Sequence, residues 1–127
     1  MILKTHLNID ERLCGRVVSL AEGSAVVELR TVPEMAADER GLVHGGFIFG
    51  AADYAAMVAV NEPTVVLASS SCTFTAPSRV GDVIVMRAAV VRSEGRKHTV
   101  EVVAVQGDAA VFKGEFLCVV TREHVLG

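Results

Sequence analysis

One apolar segment that contains a single charge constrains the fold of this chain more than any other feature. Residues 45–60 carry glycine, apolar or aromatic side chains on every side, with Asp53 in the middle. This pattern predicts a helix that is buried all round, and it ends near Asn61 because Pro63 follows shortly after. A carboxylate on a buried helix costs free energy unless a partner or a reaction uses it. Asp53 is therefore the first candidate for a functional residue.

The rest of the chain predicts strands around this helix. Residues 15–31 have the pattern of a hairpin that turns at Glu22-Gly23-Ser24. Strands are predicted after the helix, as a meander, at residues 65–75, 83–91, 99–106 and 111–121. This order indicates an α+β class with one antiparallel sheet. Because the helix is too apolar to lie outside, the sheet must curl around it or another subunit must cover it.

Length and charge exclude several classes of protein. At 127 residues and a net charge of −3, the chain predicts a single domain, residues 1–127, without a basic stripe for nucleic acid. The apolar segment at 45–60 is too short for a membrane span and carries a charge. Three scattered cysteines, and no signal segment after Met1, predict a cytoplasmic protein with reduced thiols. A hydrophobic content of 51% indicates apolar surface buried between subunits.

The predicted helix start has chemistry of its own. The first amides of a helix lack partners and lie at the positive end of its dipole, where they stabilise a polarised carbonyl, and glycine at Gly45 and Gly46 lets a substrate come close. Asp53 lies eight residues after Gly45, which is about 12 Å along a helix. A reacting carbonyl needs both groups within about 3 Å. One helix cannot supply both, but two antiparallel helices about a two-fold axis can, so an active site here requires a dimer.

The same residues could also have purely structural roles. A structural hydrogen bond could hold Asp53, and the two glycines could form a plain turn. His44 is more simply interpreted as a ring that bonds the loop backbone than as a proton carrier. His6, His98 and His124 are expected at the surface or in strands. No histidine spacing, serine elbow or phosphate loop is present, so we expect no metal and no cofactor.

The segment at residues 41–53 resembles the hotdog-fold acyl-CoA thioesterases, and most closely the phenylacetate-pathway type. The shared pattern is His44-Gly45-Gly46 followed by Asp53 seven residues after the second glycine. Residues 74–82 also look like the strand end and Gly-Asp turn of that family. The resemblance implies a curved antiparallel sheet wrapped around one long central helix. It also implies a homodimer joined edge to edge, which is often doubled to a homotetramer.

The resemblance also implies roles for individual residues. The Gly45 amide would polarise the thioester carbonyl, and Asp53 of the partner subunit would act as nucleophile or general base. Asp38 stands where the family often has an asparagine that helps to hold the attacking water. The candidate catalytic residues are thus Asp53, Gly45 and His44, and the candidate substrate-binding residues are Gly46, Asp38, Asn61, Phe74 and Arg79. Apart from the resemblance, four basic side chains could meet CoA phosphates, although solvated turn charges are commoner: Arg79, Arg92, Arg96 and Lys97.

The expected reaction is hydrolysis of an acyl-CoA to the free acid and CoA. A thioester carbonyl is reactive enough for one polarising donor and one carboxylate to suffice without a metal. Two alternatives stay open at this point: a non-catalytic module that binds or senses acyl-CoA, and a hotdog dehydratase or hydratase. The pattern does not specify the acyl group, nor whether CoA or a carrier protein bears it.

Overall fold

A computed structural model describes residues 1–127 and consists of one antiparallel six-stranded sheet packed on one long helix. The helical segments are α1 (Glu11–Cys14), a 3-10 turn at Pro33–Met35 and α2 (Gly45–Val60). The strands are β1 (Arg16–Ala21), β2 (Ser24–Arg30), β3 (Val65–Phe74), β4 (Val83–Glu94), β5 (Lys97–Gln106) and β6 (Ala109–Val120).

The long helix α2 has the bounds that the sequence predicts. It begins at Gly45 and ends at Val60, and its C-cap is Asn61, which adopts a left-handed conformation with φ of 52° and donates its N–H to the carbonyl of Met57 at 2.8 Å. Nine of the sixteen residues of α2 are buried, as expected for a helix without a polar face. No helix of this chain has both the length and the apolar character needed to cross a membrane.

The sheet curves around α2. A flat sheet of six strands, about 4.8 Å apart, would be wider than one helix. Because α2 contacts all six strands, the sheet must bend around it. Many side chains of the concave face, among them Phe112, Phe116 and Met86, are fully buried against it. The predicted α+β class and hotdog architecture are confirmed.

The strand order is β1-β2-β4-β5-β6-β3, which differs from the prediction at one strand. β4, β5 and β6 form a meander, but β3 pairs with β6 and not with β4, so the predicted meander of four strands is wrong. The helix between β2 and β3 is about 24 Å long and carries the chain across the sheet to its far edge. Residues 75–82 then return it to β4, beside β2.

The strand β3 is an edge strand, and most of it is exposed. Its pairing with β6 is irregular between Leu67 and Ser69, so Ala68 forms a bulge. Beyond this bulge Ser70 pairs with the buried Phe116, and every second residue from there faces the concave side. The concave side chains Ser70, Cys72 and Phe74 are nevertheless exposed, because no part of the chain covers this end of the sheet.

Candidate functional site

The start of α2 presents two backbone N–H groups without partners. The amides of Gly45 and Gly46 donate no hydrogen bond, whereas the N–H of Phe47 bonds the carbonyl of His44 at 3.1 Å. His44 precedes the helix in an extended conformation. Free amides at the positive end of a helix dipole can stabilise negative charge that develops on a carbonyl oxygen.

A cavity of about 380 Å³ lies beside Gly45. The ring of Phe74 forms one wall, so close that a Cβ on Gly45 would lie 3.1 Å from its Cε1 atom. Phe74 is 50% exposed and packs edge-on against Phe112, with 5.2 Å between ring centroids. Two predicted site residues, Gly45 and Phe74, therefore line one cavity, and glycine keeps the space in front of the amides open.

The ring of His44 covers the backbone of Gly46. A Cβ on Gly46 would lie 3.1 Å from both Cδ2 and Nε2 of this ring, which also packs edge-on against Phe47. The side chain makes no capping hydrogen bond. The loop is instead held through the backbone, where His44 N–H donates to the carbonyl of Met35 at 2.8 Å. The interpretation of His44 as a ring that bonds the loop is therefore wrong.

Asp53 lies two turns into α2 and faces a different cavity, also of about 380 Å³. One of its carboxylate oxygens, Oδ1, is buried and has no hydrogen-bond partner. Burial raises the pKa of Asp53 from 3.8 to about 6, because a carboxylate loses its hydration there. The lining includes the start of β3 and residues from both chain ends: Thr5, His6, Met57, Pro63, Thr64, Val65, Val66, Leu67, His124 and Val125.

The two cavities lie at opposite ends of β3. Phe74, the last residue of β3, lines the Gly45 cavity, and Val65–Leu67, at its beginning, line the Asp53 cavity. Asp53 does not line the first cavity, and Gly45 does not line the second. Within one chain the Gly45 amide and the Asp53 carboxylate are therefore apart, as the helix spacing predicts.

Asp38 and Arg79 lie close to the Gly45 cavity without lining it. The Oδ1 atom of Asp38 accepts hydrogen bonds from the N–H groups of Arg40 and Leu42, at 2.9 and 3.2 Å. Asp38, Arg40 and Arg79 line a third cavity of about 380 Å³, which shares two lining residues with the Gly45 cavity. Asp38 thus organises its loop, and two arginines lie next to the mouth of the candidate site.

Asn61 anchors the first residues of the chain. It is 6% exposed, its Oδ1 accepts from Lys4 N–H at 2.7 Å, and its Nδ2 donates to the carbonyl of Ile2 at 2.9 Å. It lines a cavity of about 690 Å³ at the end of α2 that is farthest from Gly45. The structure therefore does not bring Asn61 together with Gly45 or Asp53.

Several polar side chains at these cavities, among them Ser78 and His6, were not predicted as site residues. Ser78 is 4% exposed, and its Oγ is buried without a partner beside the Gly45 cavity. His6, expected at the surface, lines the Asp53 cavity. No local sequence signal indicates the position of His6. The first residues of the chain are held by Asn61, which accepts a hydrogen bond from Lys4 and lies 57 residues after it. No three His, Cys, Asp or Glu side chains lie close enough together to hold a metal ion.

The raised pKa of Asp53 predicts how stability depends on pH. The native state binds this proton more tightly than the unfolded chain does. Asp53 therefore does not lower the free energy of unfolding below about pH 4, and lowers it increasingly as pH rises to about 6. Above pH 6 the cost is constant, at up to about 2 kcal/mol once partial exposure is allowed for. Asp53→Asn should therefore be more stable than wild type at pH 8 and equally stable near pH 4.

This prediction is checked by urea unfolding of both proteins at one fixed concentration, since dimerisation shifts apparent stability. All other titrating groups are shared by the two proteins and cancel in the difference. An Asp53→Asn stabilisation that is the same at both pH values would contradict the assignment of Asp53 as a buried, destabilising charge.

Comparison with known proteins shows the family to which this chain belongs. The thioesterase superfamily model matches residues 40–113. Protein PH1136 from Pyrococcus horikoshii superposes with a TM-score of 0.99 at 47% identity, over 100% of this chain and 98% of that one. A mutant of the phenylacetic acid degradation protein PaaI from Thermus thermophilus has a TM-score of 0.79 at 28% identity, over 87% of this chain and 96% of that one.

Two curated relatives are longer than this chain. A methylthioribose-1-phosphate isomerase of Aquifex aeolicus is 50% identical over 119 residues, which are 94% of this chain but 26% of that protein. A transcription factor FapR of Caldanaerobacter subterraneus is 26% identical over 125 residues, 98% of this chain and 62% of that protein. The chain thus spans between a quarter and two thirds of these relatives. Since the family model covers more than half of the chain, including Gly45 and Asp53, the chain belongs to the thioesterase superfamily.

Proposed function

We propose that the protein hydrolyses an acyl-CoA to the free acid and CoA, at a site shared by two copies of the chain. The observation that carries this proposal is the location of two half-sites, the Gly45 amide and the Asp53 carboxylate, at opposite ends of β3. If β3 pairs antiparallel with β3 of a second copy, the start of one strand lies beside the end of the other. The Gly45 cavity of one protomer then meets the Asp53 cavity of its partner.

The surface along this edge suits a second copy. An edge strand carries unpaired backbone groups that another strand can bond, and the concave side chains of β3 from Ser70 to Phe74 are exposed. On α2, a Cβ on Gly50 would meet nothing within 4 Å, so a second helix can approach closely beside Asp53. These features support a homodimer. A further doubling to a homotetramer follows from the family resemblance and stays a prediction.

In the proposed reaction, the Asp53 carboxylate takes a proton from water while the water oxygen adds to the thioester carbonyl carbon. The amide of Gly45 from the other protomer stabilises the resulting oxyanion. The C–S bond then breaks, and the proton held by Asp53 passes to the departing thiolate. A base with a pKa of about 6 is largely ionised at neutral pH yet basic enough to act. Direct attack by the carboxylate, through an anhydride, is the other route open to the same residue.

The two arginines beside the Gly45 cavity are suited to bind the CoA part of the substrate. Arg40 and Arg79 line the adjoining cavity together with the carboxylates of Asp38 and Asp82. Both carboxylates accept backbone hydrogen bonds, Asp82 from the N–H of Arg79 at 2.7 Å, and so are held in the loop. We propose that the two guanidinium groups bind CoA phosphates while the acyl group enters beside Phe74.

A panel of acyl-CoAs, straight-chain and aromatic, tests this proposal by measuring thiol release. At least one member should be hydrolysed with saturable kinetics. Exposed Cys72 reacts with thiol dyes, so a reaction without substrate gives the baseline. The relative FapR, a transcription factor, favours a second candidate, a module that binds acyl-CoA without turnover. Tight binding across the panel without thiol release would support that candidate and contradict hydrolysis.

A further inference from the structure

The position of His6 is fixed by several independent contacts. Its backbone is left-handed, with φ of 53°, and only one other non-glycine residue of the chain has a positive φ. Its Nδ1 lies 2.7 Å from Oγ1 of Thr5, a side chain that is 2% exposed. Its ring packs near Tyr54, with 6.2 Å between centroids. A strained conformation persists where the surroundings hold it, and such positions cluster at functional sites.

The ring of His6 has one nitrogen to spare. Nδ1 is engaged by Thr5, and Nε2 makes no hydrogen bond in the chain. His6 and Asp53 line the same cavity, yet no hydrogen bond joins them, and the buried Oδ1 of Asp53 has no partner at all. Burial lowers the pKa of His6 below its ordinary value and so favours the neutral ring, in which one nitrogen donates and the other accepts.

We propose that His6 is a second catalytic residue, whose Nε2 holds the water that Asp53 deprotonates. The inference rests on the thioesterase function proposed above. Nδ1 and Thr5 Oγ1 are bonded to each other, which leaves Nε2 free for the water. The water then donates one hydrogen to Asp53 and makes its second hydrogen bond with Nε2, so that a lone pair of the oxygen faces the carbonyl carbon. Only the first proton is transferred, and the second stays on the oxygen and becomes part of the product acid.

The test compares variants that keep the backbone of residue 6. Asparagine tolerates a positive φ, so His6→Asn should fold while its shorter amide falls short of the position of Nε2. We expect kcat to fall by at least about 10-fold, less than the loss of a proton-transferring base causes, with KM within about twofold. His6→Gly also keeps the backbone and leaves space for free imidazole, which should restore kcat at least about fivefold. His98→Asn, at a histidine outside this cavity, should leave kcat unchanged.

The inference fails if His6→Asn keeps kcat within twofold of wild type, or if His6→Gly shows a loss that imidazole does not restore. Asp53→Asn, assayed in parallel, separates the two proposals. Asp53→Asn inactive with His6→Asn active would overturn the role of His6 and leave the thioesterase proposal standing. Wild type without turnover, or Asp53→Asn with full activity, would overturn the shared-site mechanism itself.

Discussion

Asparagine in place of Asp53 is expected to lower kcat about 10³-fold, with KM changed less than about threefold. The amide has the shape of the carboxylate but cannot accept a proton or attack a carbonyl. Binding of the acyl-CoA depends on other groups, so the loss should fall on kcat. The measurement is steady-state thiol release at pH 7.5 with the preferred member of the acyl-CoA panel.

The control for Asp53 is a carboxylate away from both cavities. Asp108 lies exposed in the turn between β5 and β6, so Asp108→Asn should keep wild-type kcat. Gel filtration of Asp53→Asn should show the same oligomer as wild type, because the change removes a destabilising charge. A fully active Asp53→Asn would refute the catalytic role of this residue.

Proline in place of Gly45 should lower kcat about 10²- to 10³-fold, the usual cost of one oxyanion donor. Proline removes the N–H and suits this position, since Gly45 is the first helical residue. The preceding residue must be extended before proline, and His44 is, with ψ of 130°. The proline ring would also contact Phe74, so the effect of the lost N–H has to be separated from the effect of this contact.

Gly45→Ala provides the match. Its Cβ makes the same approach of 3.1 Å to the ring of Phe74, but it keeps the N–H. We expect Gly45→Ala to lose less than about tenfold in kcat. Equal losses in the alanine and proline variants would show that crowding at Phe74, and not the missing amide, causes the defect.

Mixing the two inactive variants then tests whether the site is shared. A heterodimer of Gly45→Pro and Asp53→Asn chains has one site with both lesions and one site with neither. After complete exchange of equal amounts, half of the dimers are mixed, so activity should return to about a quarter of wild type. Co-purified chains with different tags provide the measurement. A mixed dimer without activity would contradict a site built from two protomers.

Much of this structure follows from local patterns. The helix at 45–60 is specified by its continuous apolar sequence, by the glycines at its start and by Asn61 before Pro63 at its end. The hairpin of β1 and β2 follows from Gly23, whose φ of 76° suits the turn. The position of Asp53 on an apolar helix predicts its burial and makes it a candidate functional residue, because a buried charge is costly and is rarely kept without a use.

Local patterns do not indicate which segments that are distant in the sequence contact each other in the fold. The sequence of β3 contains nothing that favours pairing with β6 over β4, and proximity along the chain favoured the wrong neighbour. The position of His6 depends on the hydrogen bonds between Asn61 and the first residues of the chain. The position of Ser78 depends on its loop, in which the carbonyl of Ser78 accepts a hydrogen bond from the N–H of Val43. These contacts are set by the tertiary fold, and no spacing of residues along the sequence indicates them.

The bulge at Ala68 decides which side chain meets the helix start. Before it, Leu67 pairs with the buried Cys118, so odd-numbered residues of β3 face inward. After it, Ser70 pairs with Phe116 and even-numbered residues do. If β3 instead paired regularly through Ala68, without a bulge, the alternation would keep its first phase, and Thr73 would face the cavity in place of Phe74. The aromatic wall of the cavity thus owes its place to a change of register six positions upstream. A chain that lacks Ala68 would lose the bulge but keep Ser70 opposite Phe116 and Phe74 facing inward.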